Sequence, residues 1–211
     1  MNRRFVIVGT DTGVGKTIVS AGIVGALNAY YWKPVQAGLD GETDSQTVAR
    51  LSGAPAERIL PEAWRLRRAA SPNLAARDEG VEIAAAALNP PQCSGPLAIE
   101  TAGGAMTPLS DRALTIDVLE RWRLPVILVA RTSLGTINHS LLTLEALRRR
   151  GVSITGIIFS GDAEPDAQRS IETIGGVRIL GRLPKLDPLN QKTLGAAFSA
   201  AIARDAFGSG A

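Results

Sequence analysis

Two residue types that build many functional sites are almost missing from this sequence. Its 211 residues include one cysteine, Cys93, and one histidine, His139. A single cysteine excludes a disulfide within the chain, which suits a reducing compartment. A single histidine excludes most metal sites that are built on imidazole ligands. We therefore expect neither a disulfide scaffold nor a histidine-rich metal centre.

Long apolar runs and a secretion signal are missing as well. No segment approaches the roughly 20 apolar residues that cross a bilayer. Residues 1–4 are basic, but the apolar run that follows at residues 5–8 is too short for a signal peptide. These absences predict a cytoplasmic protein without a membrane partner.

An excess of one charge is also absent, because the net charge is only +3, from 23 basic and 20 acidic residues. Arginines cluster at residues 65–68 and 148–150, and such clusters can bind nucleic acid. The second cluster precedes Gly151, where basic side chains complement the end of a helix. We predict that the first cluster is a solvated face. Since neither cluster brings a nucleic-acid-binding motif with it, we expect no nucleic-acid partner.

The sequence does contain a candidate phosphate-binding loop at residues 9–17, GTDTGVGKT, between an apolar run and a helix-forming stretch. Glycines in such loops let several backbone N–H groups point at one phosphate, so Gly13, Val14 and Gly15 are predicted to bind nucleotide. Lys16 would reach the β- and γ-phosphates, and Thr17 would offer its hydroxyl to Mg²⁺.

One feature of this loop departs from the usual pattern, which places four residues between its first glycine and the Gly-Lys pair. That position holds Thr10, and Gly9 lies one residue too early. An ordinary strand–turn–helix with chance glycines is the alternative. The flanking elements and the three terminal residues of the motif favour the phosphate-binding loop.

Apolar runs alternate with helical patterns along most of the chain. Strands are predicted at residues 5–8, 30–35, 96–100, 125–129, 154–159 and 177–183. Helices are predicted at residues 18–24, 43–51, 115–123, 138–150, 167–174 and 193–204. Prolines interrupt residues 53–95, which are left unassigned, and residues 207–211 are predicted to be a frayed tail. The pattern predicts a single α/β domain over residues 1–211, with a doubly wound, mainly parallel sheet and ligands at the carboxyl ends of its strands.

Three charged residues at predicted element ends are further candidates. Glu100 closes a strand before a glycine-rich stretch, and together with Thr17 and one further acid it could hold Mg²⁺, which keeps several waters. Lys33 precedes Pro34 and a glycine turn. The alternatives are a solvated strand end for Glu100 and a plain surface lysine for Lys33. Asp44, taken alone, is predicted to cap a helix.

The segment 134–138, LGTIN, would expose backbone N–H groups at the start of a helix, which is a natural carboxylate site. A plain capping turn explains it equally well. His139, in the first turn of that helix, is predicted to pack or to form hydrogen bonds rather than to catalyse. Cys93 lies in a loop and receives no role.

Five motifs, taken in order along the chain, together resemble the ATP-dependent dethiobiotin synthetases. They are GTDTGVGKT at 9–17, KPVQAG at 33–38, ETAGGAMTPLS at 100–110, LGTINHSLLT at 134–143 and LGRLP at 180–184. The early glycine of the loop is part of that family's variant motif. Because the motifs extend over most of the chain, the resemblance is far more specific than a lone phosphate-binding loop.

The resemblance implies an ATP- and Mg²⁺-dependent closure of a ureido ring on 7,8-diaminononanoate, with CO₂ or bicarbonate as the carbon source, in biotin biosynthesis. One amine of the substrate carries CO₂ as a carbamate, ATP phosphorylates the carbamate, and the second amine attacks the resulting mixed anhydride. Dethiobiotin, ADP and phosphate are the products. The resemblance also implies a homodimer in which the substrate carboxylate meets a helix start of the partner subunit.

The resemblance further implies a role for each matching residue. Lys16 and Lys33 would stabilise the carbamate and the transferring phosphoryl group, and Thr12 would contact substrate or phosphate. Thr17, Asp44 and Glu100 would hold Mg²⁺. Further substrate positions are Ala37, Gly103, Gly135, Thr136 and Asn138, and further nucleotide positions are Ser160, Leu183 and Pro184.

Three residues depart from the family pattern. Ala37 stands where the family often has Ser or Thr, and the missing hydrogen bond would contribute about 0.5–1.5 kcal/mol. Thr101 replaces a common glycine beside Glu100. Ser160 stands where the family often has an Asn that contacts adenine, which leaves the nucleotide preference open.

Two other ATP-using classes are alternatives. Cobyrinate amidotransferases carry a glutaminase domain with a catalytic Cys and His, and this chain has no room for one. Partition-type switch ATPases carry an extra lysine in a Lys-Gly-Gly-x-Gly-Lys loop, and the equivalent stretch here, DTGVGK at 11–16, lacks it. ATP turnover that depends on a small diamine would indicate a synthetase, and turnover that depends on a macromolecular partner would indicate a switch ATPase.

Overall fold

The computed structural model describes residues 3–203 and residue 207. The strands are β1 (Arg4–Gly9), β2 (Tyr30–Trp32), β3 (Val35–Ala37), β4 (Ile59–Leu60), β5 (Trp64–Leu66), β6 (Leu97–Gly104), β7 (Pro108–Ser110), β8 (Ala113–Leu114), β9 (Val126–Arg131), β10 (Ile154–Ser160) and β11 (Ile179–Leu183). The helices are α1 (Lys16–Leu27), α2 (Asp44–Ser52), α3 (Pro72–Asp78), α4 (Thr115–Trp122), α5 (Thr136–Arg149), α6 (Pro165–Gly175) and α7 (Gln191–Ala201). Among the described residues, none of these helices is long and apolar enough to cross a bilayer.

A seven-stranded sheet forms the centre, in the order β11-β10-β9-β1-β6-β2-β4. Every pair of neighbouring strands in it is parallel. Parallel neighbours require crossover connections, and most of the helices provide them. The predicted doubly wound α/β class is therefore confirmed. Two small two-stranded sheets, β3 with β5 and β7 with β8, lie outside the main sheet.

Strand β1 is buried on both faces, as its continuous apolar run predicts. Because side chains alternate along a strand, Ile7 belongs to one core cluster, with residues of α1 and α7. Val6 and Val8 belong to a second cluster, with residues of α4 and α5. The sheet thus lies between two helical layers, and the loop after β1 emerges at its carboxyl edge.

Two predicted strands differ from the observed ones. The predicted strand at residues 30–35 divides at Lys33 and Pro34, because proline has no N–H group with which to continue the ladder. Its first half, β2, pairs in the main sheet, while β3 pairs with β5. The strand predicted to end at Glu100 continues to residue 104, and its pairing with β1 is irregular between Ile7 and Gly9. Glu100 therefore lies inside a strand.

The carboxy-terminal part also differs from the prediction. Helix α7 begins two residues earlier than predicted and ends at Ala201, while residues 204–206 and 208–211 lie outside the described part. The frayed tail predicted from residue 207 is wrong for Phe207 itself, which is buried. Its ring contacts Phe5 edge-on at 5.6 Å and stacks on Phe198 at 6.2 Å between centroids.

Candidate active site

The loop between β1 and α1 owes its shape to two glycines. Gly15 directly precedes the helix with a φ of 96°, and a side chain there would collide with the hydroxyl of Ser160. A Cβ atom on Gly9 would lie 2.6 Å from the carbonyl oxygen of Asp11 and 2.9 Å from Lys16 Nζ. The early glycine of the motif therefore has a steric reason, because the loop folds back over it.

Lys16 is buried beneath this loop, and its Nζ donates a hydrogen bond to the carbonyl oxygen of Asp11 at 2.9 Å. Burial lowers the pKa of Lys16 to about 8, Glu100 opposes that shift, and the nearby charge of Lys33 adds to it. The ammonium group thus lies under the candidate phosphate-binding loop with its charge only partly compensated.

Three oxygen-bearing side chains converge at the start of α1. Thr17 Oγ1 lies 2.8 Å from Asp44 Oδ1 and 2.9 Å from Glu100 Oε1, and its single proton can serve only one of them at a time. Glu100 is 1% exposed. Carboxylate and hydroxyl oxygens are the ligands that Mg²⁺ prefers, so the set predicted from the sequence is brought together.

Lys33 bridges the two carboxylates of this set. Its Nζ lies 2.5 Å from Asp44 Oδ2 and 3.2 Å from Glu100 Oε1. Burial alone would lower the pKa of Lys33, but the neighbouring Glu100 and Asp44 carboxylates outweigh burial and raise it. Burial would likewise raise the pKa of Asp44, and the Lys33 charge lowers it instead. Lys33 therefore remains charged and offsets part of the charge of the pair.

Two buried side chains support Glu100 and Asp44, and the sequence reasoning missed both. Tyr31 donates a hydrogen bond to Glu100 Oε2 at 3.0 Å, and burial, followed by the Glu100 charge, raises its pKa well above the usual value. Gln36 Oε1 accepts a hydrogen bond from the backbone N–H of Asp44 at 3.3 Å. Gln36 belongs to the KPVQAG motif and could have been found there. Tyr31 lies in an apolar run that gives no such signal.

Replacing Tyr31 by phenylalanine should lower the free energy of unfolding by about 1.5–3 kcal/mol, because one oxygen of a buried, charged carboxylate loses its donor. Urea denaturation measures this change. The matched control is Tyr30→Phe, because the Tyr30 hydroxyl shares an exposed hydrogen bond with Ser94 and its loss should have a smaller effect. Equal stability changes in the two variants would contradict a supporting role for Tyr31.

An open cleft of about 730 Å³ runs over these groups at the carboxyl edge of the sheet. The predicted site residues that line it are Thr12, Gly13, Gly15, Lys16, Thr17, Lys33, Ala37, Asp44, Glu100 and Gly103. Thr101, the departure beside Glu100, turns its hydroxyl to the carbonyl oxygen of Ile7 at 3.3 Å and is buried.

The remaining predicted nucleotide residues lie next to the loop or beneath it. Ser160 borders Gly15 and is paired with Leu183 across β10 and β11, with Pro184 following. Val14 is buried in the core, so only its backbone can face a phosphate.

The predicted carboxylate site at the start of α5 lies apart from the cleft. The helix begins at Thr136 rather than at Asn138. The backbone N–H of Thr136 donates to the carbonyl oxygen of Ser133 at 3.2 Å in this turn, and its role in binding a substrate carboxylate stays a prediction. None of Gly135, Thr136 and Asn138, all within the described residues, lines the cleft that holds Lys16.

His139 and both arginine clusters lie at the surface. His139 is half-buried and borders a separate groove with Asp11 and Leu142. In the first cluster, Arg65 pairs with Glu62, and Arg68 pairs with Asp78. In the second, Arg150 pairs with Asp117 and Glu120, and helix α5 ends within the cluster at Arg149, one residue before its predicted end.

Comparison with solved structures and a family model agrees with the fold. A family model described as an AAA domain matches residues 3–193. The septum site-determining protein MinD from Pyrococcus horikoshii, complexed with Mg-ADP, superposes with a TM-score of 0.55 at 14% identity, covering 93% of this chain and 86% of that one. A ParA family ATPase from Chlorobium tepidum superposes with a TM-score of 0.50 at 16% identity, covering 94% and 90%. At such identities the likeness is one of fold alone.

The parallel sheet, the glycine loop over Lys16 and the family model together place the chain among the P-loop nucleoside triphosphatases. The ATP-dependent dethiobiotin synthetase BioD of Rhodopseudomonas palustris (strain BisB18) is 59% identical over 207 residues, covering 98% of this chain and 99% of the relative. The protein of the same name from Nitrobacter hamburgensis is 55% identical, covering 98% of each. The chain belongs to the ATP-dependent dethiobiotin synthetase family.

Proposed function

We propose that this protein closes the ureido ring of dethiobiotin from 7,8-diaminononanoate and CO₂, in a reaction that consumes ATP and requires Mg²⁺. Family membership gives an ATP-dependent enzyme of dethiobiotin synthesis. The observation that carries the proposed chemistry is the cleft that holds Lys16, Lys33, Thr17, Asp44 and Glu100 together. ATP use and the single cysteine fit a cytoplasmic location.

The reaction needs no nucleophilic protein side chain. One amine nitrogen bonds to the carbon of CO₂ and loses a proton, which gives the carbamate. A carbamate oxygen then attacks the γ-phosphorus of ATP, and the bond to ADP breaks. The second amine attacks the carbamoyl carbon, loses a proton and expels phosphate as the ring closes. Such steps depend on positioning and charge neutralisation, which suits a cleft that contains two lysines.

The two lysines have separate tasks in this proposal. Lys16 lies under the glycine loop, bonded to the Asp11 carbonyl, and would turn to the β- and γ-phosphates when nucleotide binds. Lys33 faces the carboxylate pair and would stabilise the carbamate and the transferring phosphoryl group. Thr12, exposed at the mouth of the cleft, would contact the same groups.

The residues fit a bound Mg²⁺. Within the described part of the chain, no three acidic, histidine or cysteine side chains lie together as metal ligands. Mg²⁺ needs fewer, because it takes one or two carboxylates, phosphate oxygens and water. Thr17, Asp44 and Glu100 would hold it, and it would supply neutralisation of the phosphate oxygens. The Lys33 ammonium contacts Asp44 and Glu100. It would move toward the substrate when Mg²⁺ binds these carboxylates.

We also propose a homodimer in which the start of α5 contributes to the partner's substrate site. Support comes from apolar side chains that this surface leaves open to solvent, since Leu134 is fully exposed and Leu142 is 57% exposed. Backbone N–H groups at a helix start favour a carboxylate, and Gly135 and Asn138 flank that start. Sedimentation as a monomer at micromolar concentration would contradict the dimer.

The test of the proposed function measures ADP release with ATP, Mg²⁺ and bicarbonate, with and without 7,8-diaminononanoate. Release that requires the diamine, together with a product of dethiobiotin mass, is the expected result. ADP release at the same rate with and without the diamine would overturn the proposed function. It would favour the partition-type switch ATPase, to which the fold is similar. Asp11 occupies the position of the extra lysine in that class, which disfavours this alternative.

The pKa of Lys16 predicts that nucleotide binding depends on pH. Because burial lowers this pKa to about 8 in the nucleotide-free protein, the lysine must take up a proton when ATP binds at higher pH. The Kd for ATP should then rise about tenfold per pH unit above that value, as measured by calorimetry. Lys16→Arg keeps its charge, so its Kd should remain level over the same range. A level wild-type profile would contradict the prediction.

A further inference from the structure

A small pocket lies beside the cleft, between β6, β7 and helix α4. Pro34 and Thr101 are among its lining residues, and they directly follow Lys33 and Glu100 in the chain. Ala102 lines both the pocket and the cleft. The pocket is therefore adjacent to the place where the carbamate would be stabilised.

The lining of this pocket offers little to a polar molecule. Most of the side chains are aliphatic, and those that carry a hydrogen-bond donor already use it on a backbone carbonyl. These donors are Thr101 to Ile7 at 3.3 Å, Thr115 to Thr107 at 3.1 Å and Trp122 to Leu88 at 2.7 Å. A water molecule needs two to four polar partners, so the pocket is a poor site for water.

Size and polarity together select the occupant. The space available to the centre of a water-sized molecule is about 20 Å³, which accommodates one small molecule. Bicarbonate, an anion, would lose its hydration without gaining a partner there. CO₂ is uncharged and has no dipole moment. Among the reactants of the proposed function, it alone has this size and polarity.

We propose that this pocket binds CO₂ and releases it to the amine that forms the carbamate beside Lys33. The inference rests on the proposed function, because CO₂ is a reactant only there. No bond forms or breaks in the pocket itself. Its effect is to raise the local concentration of CO₂ next to the cleft and to keep water from that position.

The kinetic test narrows the pocket from its far side. Val118 lines it from helix α4 and does not line the cleft, so Val118→Ile adds one methylene to the pocket wall alone. One methylene in an apolar site changes affinity by about tenfold or more. We expect the KM for CO₂ to rise by about that factor, with the KM values for ATP and 7,8-diaminononanoate unchanged. The matched control is Val152→Ile, in a different buried cluster.

The outcomes distinguish failure of the CO₂-pocket proposal from failure of the proposed function. An unchanged KM for CO₂ in Val118→Ile, or an equal rise in Val152→Ile, would overturn the proposal that the pocket binds CO₂. The proposed function would remain intact. Failure of the wild-type enzyme to make dethiobiotin at any CO₂ concentration would overturn the proposed function itself.

Crystals pressurised with xenon provide a test that does not depend on activity, because dry apolar cavities bind xenon. Xenon should occupy the wild-type pocket, and an ordered water that xenon does not displace would contradict the inference.

Discussion

Lys33→Ala is expected to lower the rate of dethiobiotin formation by about a thousandfold. Removal of one preorganised donor from a developing charge typically costs about 10²- to 10³-fold in rate. Lys33 carries one positive charge that also offsets part of the charge of two carboxylates, at 2.5 and 3.2 Å. Steady-state turnover at saturating ATP, CO₂ and diamine measures the loss. The matched control is Lys185→Ala, since the exposed Lys185 pairs with Asp162 at the surface.

The same variant tests whether Lys33 and Mg²⁺ share the carboxylates. Without the Lys33 ammonium, Asp44 and Glu100 remain close together with less compensating charge, so they should bind free Mg²⁺ more tightly than in the wild type. Calorimetry without nucleotide measures that affinity, and circular dichroism verifies that the variant is folded. Near-normal turnover would refute the proposed role of Lys33. Weaker Mg²⁺ binding would refute the shared site.

The central part of the fold could be predicted because it is determined by local pattern. The continuous apolar run of β1 and the glycine loop after it specify a buried parallel strand and a helix start. Residues 53–95 could not be predicted, since their two-residue and three-residue strands, β4 and β5, are formed by pairing with β2 and β3. Tertiary contacts, rather than local preference, determine such short elements.

The candidate site was predictable where a motif carries its own chemistry and ambiguous elsewhere. Lys16 and Thr17 follow from the loop motif alone. Asp44 taken alone resembles a helix cap, but Thr43 is the capping residue, and it shares a capping box with Gln46. The carboxylate of Asp44 is therefore available to Thr17 and Lys33. The family resemblance implied this role for Asp44, but the chemistry of the residue alone could not, because its approach to Lys33 depends on the three-dimensional position of strand β2.

Glu100→Gln is expected to lower turnover by about a hundredfold or more and to raise the Mg²⁺ concentration needed for half-maximal activity. The substitution keeps the shape of the side chain but removes a charge that Thr17 and Lys33 both contact. Loss of a residue that only orients the ligands of a metal typically costs about 10- to 100-fold in metal affinity or activity, and loss of a direct ligand should cost at least as much. A Mg²⁺ titration of activity at fixed ATP measures this shift.

The comparison with Glu62→Gln separates loss of the Mg²⁺ site from a general effect of removing a shielded carboxylate. Glu62 is also largely shielded, with 6% of its side chain exposed, but it contacts Ser45 and Arg65 and does not line the cleft. If Glu100 acts through the metal, its variant alone should shift the Mg²⁺ titration, whereas both variants could lose stability. A titration that is unchanged in Glu100→Gln would exclude Glu100 from the Mg²⁺ site and leave Thr17 and Asp44 to hold the metal.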